Sequence, residues 1–143
     1  MDEKTNKEME KYQEAIDKFL MPNLTNKPWG YERIIEQTDV HVIKEIHVKR
    51  GCRLSLQYHE KKIEHMTLVT GTGLLHLGHD GSVIVMEKYR PYLIRPGTIH
   101  RLEASDDEVM GGCLVIEISS TELDDVVRLE DDYGREADEK GTA

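Results

Sequence analysis

Gly51-Cys52-Arg53-Leu54-Ser55-Leu56-Gln57-Tyr58-His59-Glu60-Lys61-Lys62-Ile63-Glu64-His65, running on to Gly71, is the stretch that decides the reading of this chain. Side chains alternate along a strand, so extended backbone over 53–59 puts Ser55, Gln57 and His59 on one face and Leu54, Leu56 and Tyr58 on the other. Glu64 opens the next β-like run and returns to the same place across the short turn Glu60–Ile63. A second polar group follows at Arg95-Pro96-Gly97-Thr98-Ile99-His100. Two histidines and a carboxylate converging inside a β-barrel form a donor set suited to a divalent transition ion, and Gln57 can add a neutral oxygen. Taken singly, His59 reads as an ordinary surface or core histidine. The ordered spacing of Gly51, Gln57, His59, Glu64, Gly71, Gly97 and His100 separates the set from chance.

Working outward, the neighbouring segments read as strands. Val40, Val42, Ile46 and Val48 alternate with His41, Glu45, His47 and Lys49, the period of a half-buried strand. Lys44 falls on the apolar side of that strand, where an unpaired ammonium is costly, so it meets either a ligand or an internal partner such as Glu117. Further β-like runs cover Arg53–Tyr58, His65–Thr70, Gly73–Leu77, Val83–Glu87, Tyr92–Arg95 and Cys113–Ile118. Asp80-Gly81 between two apolar runs is a hairpin signal. His41 and His47 on a polar face, and His76 and His79 beside that turn, read as bystanders. Many short strands with helix at one end only point to an all-β sandwich or barrel.

The first 25 residues differ. Thr5 and Glu8 have capping-box spacing, and Met9, Tyr12, Ile16 and Phe19 recur at helical intervals, so an amphipathic helix is expected from Thr5 to about Leu20. Its apolar stripe calls for a cover, either the main domain or a second subunit. The organisation expected is a helix over 1–25, one β domain over 26–135 and a charged tail over 136–143. Composition excludes several classes. With 28 Asp and Glu against 19 Lys and Arg, the formal net charge of -9 argues against a broad nucleic-acid-binding face. No run of 18 apolar residues offers a membrane-spanning helix. Two cysteines, Cys52 and Cys113, make neither a disulfide framework nor a cysteine zinc site. Met1-Asp2-Glu3-Lys4 lacks the blocks of a secretory leader, so a cytoplasmic location with reduced thiols is expected.

The stretch Gly51–Gly71 resembles the first motif of the cupin superfamily, and Gly97 with His100 resembles part of the second. Lys27-Pro28-Trp29-Gly30, Val42-Ile43-Lys44, Leu54–His59, Glu64-His65, Gly71-Thr72, His100-Arg101-Leu102 and Val127–Arg135 follow in order. Together they are similar to the C-terminal isomerase domain of type II mannose-6-phosphate isomerases, from about Lys27 to Arg135. The resemblance implies a double-stranded β-helix (jelly-roll) barrel and one divalent ion (Zn, Mn, Co, Fe or Ni) on Gln57, His59, Glu64 and His100. It also ties His65, Arg128 and Glu130 to activity. Lys62 stands where the family has arginine, keeping the charge without the bidentate fork, so a weaker phosphate contact is expected there. The implied reaction interconverts mannose 6-phosphate and fructose 6-phosphate. Glu130 is the candidate base, with His65 second, and Lys44 and Arg128 face the phosphate or sugar hydroxyls. Simple alternation nevertheless turns His65 away from Glu64. Other classes left open are a different metal-dependent cupin enzyme such as an oxygenase, and a non-catalytic sugar-binding cupin. The partners expected are a small sugar phosphate and a second copy of the chain in a homodimer.

Overall fold

The computed structural model describes residues 2–20 and 23–137, with the side chains at 17–20 and 137 outside that description. Helix α1 spans Glu3–Leu20. Its N-cap is Asp2 rather than Thr5: the Asp2 carboxylate accepts the backbone N–H of Thr5 at 2.7 Å, satisfying a donor the first turn leaves open. Met9, Tyr12 and Ile16 of the apolar stripe are exposed, and the side chain of Phe19 lies outside the described residues.

Among the described residues eleven strands follow: β1 (Leu24–Lys27), β2 (Gly30–Gln37), β3 (Val42–Val48), β4 (Leu56–Tyr58), β5 (Glu64–Gly71), β6 (Gly73–Leu77), β7 (Ser82–Val85), β8 (Pro91–Ile94), β9 (His100–Ala104), β10 (Cys113–Ser119) and β11 (Val127–Glu130). A 3-10 turn at Arg135–Ala137 closes the described chain. One sheet runs β1-β2-β3-β10-β5-β8 and the other β11-β4-β9-β6-β7. The two antiparallel sheets enclose Trp29, Ile46, Val48, Met66, Leu68, Leu75, Met86, Ile94, Leu102 and Val115. Each such aliphatic side chain contributes about 1.5–3 kcal/mol by leaving water. This is the all-β double-stranded β-helix with an N-terminal helix that the sequence led us to expect. The stretch 138–143, most of the expected tail, lies outside the described residues.

The register explains where a polar site can form. On β10, Cys113, Val115, Glu117 and Ser119 point inward. Val115 sits between Ile46 and Leu68, Glu117 between Lys44 and Met66, and Ser119 between Val42 and Glu64. The inward rows are therefore apolar at one end of the barrel and charged at the other. Gly71 makes the β5–β6 turn possible: its φ is 80°, and a Cβ there would collide with the Gly112 carbonyl.

Several strands depart from expectation. The run Arg53–Tyr58 is regular only over β4, although Ala104 N–H still bonds to Cys52 O and Leu54 N–H to Leu102 O. Strands β9 and β11 carry no alternating signal in the sequence. In β9 four of five residues are buried, because Arg101 on the outer side is itself covered, donating to the carbonyls of Leu54 and Glu130. Strand β7 is exposed along its whole length at a sheet edge.

Candidate metal centre

Three elements deliver the polar residues. Strand β4 carries Gln57 and ends just before His59, the turn 60–63 leads to Glu64 at the start of β5, and His100 opens β9. Gln57 and His100 are direct cross-strand partners. Glu64 reaches the same spot from the opposite sheet. His59 Nε2 lies 3.3 Å and His100 Nε2 3.0 Å from Glu64 Oε1. One donor atom from each of the three lies within 4.8 Å of the others, and all three residues are buried. Gln57 lines the same pocket, with its amide oxygen accepting from the Ser55 hydroxyl at 2.6 Å.

The hydrogen bonds on the far side of each ring fix what faces the centre. His100 Nδ1 contacts the Thr98 carbonyl at 2.8 Å, and His59 Nδ1 contacts the Asp125 carbonyl. A carbonyl only accepts, so in a neutral ring each Nδ1 carries the hydrogen and each Nε2 presents a lone pair. Two imidazole lone pairs and a carboxylate oxygen then converge on one point. His100 Nε2 is buried and has no hydrogen-bond partner, its approach to Glu64 being out of line. An orphaned buried nitrogen facing an anionic oxygen fits a divalent transition ion held by two imidazoles and a carboxylate.

Behind Glu64 stands a buried ion triad. Lys62 Nζ is 3.2 Å from Glu64 Oε2 and 3.0 Å from Glu117 Oε1. Burial alone would raise Glu64, but its close contacts with Glu117, His100 and His59, with the Lys62 charge, hold it well below the carboxylate range. Burial, and then the Glu64 charge, push Glu117 up to about 8. Burial would lower Lys62, yet the two carboxylates carry it above the ordinary lysine value. Lys62 is thus engaged inside the barrel. The expectation that it supplies a weakened phosphate contact is corrected, because its ammonium is held between two carboxylates.

The pocket above the donor set is lined by Lys27, Glu32, Lys44, Arg128 and Arg135, with Trp29, Leu123 and Val126 among its apolar walls. Lys44 is buried and pairs with Glu32 at 3.4 Å, not with Glu117. Lys27 lies 3.9 Å from Glu32; burial depresses its ammonium, Glu32 opposes this, and Lys44, Arg135 and Arg128 push it further down. Arg135 is itself held by the buried Asp131 carboxylate, at 2.7 Å from Nε and 3.1 Å from Nη2.

Two expected residues lie elsewhere. His65 is exposed on the outer face of β5, as alternation from Glu64 requires. Glu130 is exposed and turned to Arg101 at 3.9 Å. Its displacement has a register cause: Arg128 pairs with Gln57, but a bulge follows, and Glu130 pairs with Leu56. The extra residue, Leu129, leaves Arg128 in the pocket and turns Glu130 to the other face. The reading of Glu130 as the base lining this site is therefore corrected. Lys27, Glu32 and Arg135 were missed as site residues. Lys27 and Arg135 fall within the blocks that carry the family resemblance, which was their available signal.

Two antiparallel sheets rolled around a buried histidine and glutamate donor set define a cupin. The family model for the C-terminal domain of mannose-6-phosphate isomerase matches residues 17–131, and the chain belongs to that family. Among curated relatives, xanthan biosynthesis protein XanB of Xanthomonas campestris pv. campestris is 34% identical over 115 residues, covering 76% of this chain and 23% of that protein. Mannose-1-phosphate guanylyltransferase of Escherichia coli K12 is 35% identical over 109 residues, covering 76% and 22%. Alginate biosynthesis protein AlgA of Pseudomonas aeruginosa is 35% identical over 115 residues, covering 78% and 23%. The chain thus spans less than a quarter of the length of these relatives. Among solved structures, a cupin-like protein from Thermotoga maritima aligns with TM-score 0.61 and 15% identity over 74% of this chain and 80% of its own. The capsular polysaccharide assembling protein CapF of Staphylococcus aureus aligns with TM-score 0.62 and 19% identity, over 75% of this chain and 32% of its own. These two likenesses concern the fold.

Proposed function

We propose that this domain is a metal-dependent sugar-phosphate isomerase interconverting mannose 6-phosphate and fructose 6-phosphate. The observation that carries the reading is the stacking of two features in one pocket. His59, Glu64 and His100 form the donor set, and Lys27, Lys44 and Arg128 line the pocket that His59 and Glu64 also line. With Gln57 beside them, these donors would hold a divalent ion, which when bound supplies Lewis-acid polarisation of the sugar's C1 and C2 oxygens. The chain's own residues supply the rest. Lys44 and Arg128, joined by Lys27, bind the phosphate dianion and orient the hexose. A proton must move between C1 and C2 through an enediol, which needs a base beside those carbons. Glu32 takes that role. It lines the pocket and keeps 22% of its side chain exposed, against 6% for Glu117, whereas Glu130 points outward and Glu64 belongs to the donor set. Trp29, Leu123 and Val126 exclude water from the enediol.

The test is a coupled assay on metal-verified protein with mannose 6-phosphate. Turnover that falls at least about 100-fold in Glu32→Gln is expected from loss of a general base. No turnover at millimolar substrate removes the assignment. The outward placement of Glu130 favours one second reading, a cupin that binds sugar phosphate without converting it. Saturable binding of mannose 6-phosphate with no turnover would select it.

A further inference from the structure

The turn that joins two of the three donors has little structure of its own. Glu60, Lys61, Lys62 and Ile63 connect His59 to Glu64, and none of them lies in a strand. Their backbone N–H groups are held by the segment between β10 and β11. Asp125 Oδ1 accepts from Glu60 at 3.0 Å, and Asp125 Oδ2 accepts from Lys61 at 2.7 Å and Lys62 at 2.9 Å. Ser120 Oγ accepts from Ile63 at 3.1 Å, while Ser120 N–H donates back to the Ile63 carbonyl at 3.0 Å. The Asp125 backbone carbonyl also accepts from His59 Nδ1, the contact that turns Nε2 toward Glu64. One residue therefore fixes the ring of the first donor and the backbone leading to the second.

We propose that Asp125 is the positioning residue of the metal centre: its carboxylate fills the nest of three N–H groups between His59 and Glu64 and so sets the spacing of the two donors. The chemistry requires an aspartate. Three converging N–H dipoles make an anion site, and both carboxylate oxygens are acceptors. An asparagine would turn an NH2 donor against at least one of those N–H groups. Asp125 touches neither the donor atoms nor any substrate position; it acts through the backbone of the turn and the tautomer of His59. Such outer contacts typically alter metal affinity about 10–100-fold. Mutating the turn residues would not reveal this control, because their backbones are the contacting groups. The inference rests on the metal-binding reading of His59, Glu64 and His100.

The test measures Co2+ binding to the full chain by competition with a chelator, together with the visible absorption of the bound ion. The wild type should bind with a defined spectrum. Asp125→Asn should bind about 10–100-fold more weakly with a shifted spectrum. Asp124→Asn, which removes an adjacent exposed carboxylate, should match the wild type. A merely structural role would lower the melting temperature of metal-free Asp125→Asn while leaving its Co2+ affinity and spectrum intact, and that result overturns the proposal alone. A wild type that takes up no Co2+ overturns the metal reading and this proposal together. Should Asp125→Asn fail to fold, hydrogen exchange on the wild type decides. Zn2+ loading should slow exchange at the amides of Glu60, Lys61 and Lys62, and unchanged rates overturn the proposal.

Discussion

Replacing Lys62 with methionine removes the one cation that Glu64 and Glu117 share and keeps most of its volume. The three side chains are nearly enclosed, with relative exposures of 7%, 1% and 6% for Lys62, Glu64 and Glu117. At contacts of 3.2 and 3.0 Å each pair gains a large gross attraction, but desolvating three charges offsets most of it. The net worth of the intact triad is therefore small, while breaking it is costly, about 3–5 kcal/mol, because the buried Glu64 charge loses its counter-ion and, on the alkaline side, an ionised Glu117 comes to face it. The pH dependence has a definite sign. Glu117 sits at about 8, above its unfolded value of 4.5, so its proton-linked stability is present below the unfolded value and is lost as pH rises through 8. Lys62 is among the groups that lower Glu117, so removing it moves Glu117 higher and enlarges the loss on the alkaline side. The assay is urea unfolding of metal-free protein under chelator, at about pH 6 and about pH 9, since a bound ion would add its own stabilisation. Lys62→Met should lose about 3–5 kcal/mol, with the greater loss at the higher pH. Exposed Lys61→Met should stay within about 0.5 kcal/mol of wild type. Equal stabilities for Lys62→Met and wild type, or a loss that shrinks as pH rises, would refute the triad.

Other outcomes follow from the same geometry. His59→Ala and His100→Ala should each lose bound metal, read by elemental analysis after desalting, because a single remaining histidine and Glu64 leave the ion underligated. Arg128→Gln and Lys44→Met should raise the KM for mannose 6-phosphate about 10–100-fold, the loss of one charge-assisted contact. Glu130→Gln should leave turnover within about twofold, since Glu130 faces Arg101 outside the pocket. A thiol reagent should modify one cysteine in the native protein and two after denaturation. Cys52 is partly exposed, whereas burial pushes the Cys113 thiol up to about 12, so native labelling of Cys113 would contradict the packing of β10.

What was legible in the sequence, and what was not, divides along a physical line. Period-two burial is a local property. It placed Lys44 inward on β3, and it separated Glu64, facing in, from His65, facing out. The donor set was legible because His59 and Glu64 are joined by one short turn and both lie in strongly patterned stretches. Three features escaped because they depend on partners far along the chain. The inward face of β9 was masked by Arg101, which is covered where it donates to the carbonyls of Leu54 and Glu130, both far from it along the chain. The bulge at Leu129 is a property of pairing with β4, not of the local pattern, and it reverses the facing of Glu130 relative to Arg128. Asp125 reads as one more acidic residue beside Asp124, and its three N–H partners lie 63–65 positions earlier. The candidate donors can thus be named from two short motifs, whereas the groups that aim them are visible only once the two sheets have closed. Errors should therefore concentrate in the residues that orient and support the donors: Glu130 and Lys62 face other partners than expected and Asp125 went unnoticed for this reason, while His59, Glu64 and His100 lie together.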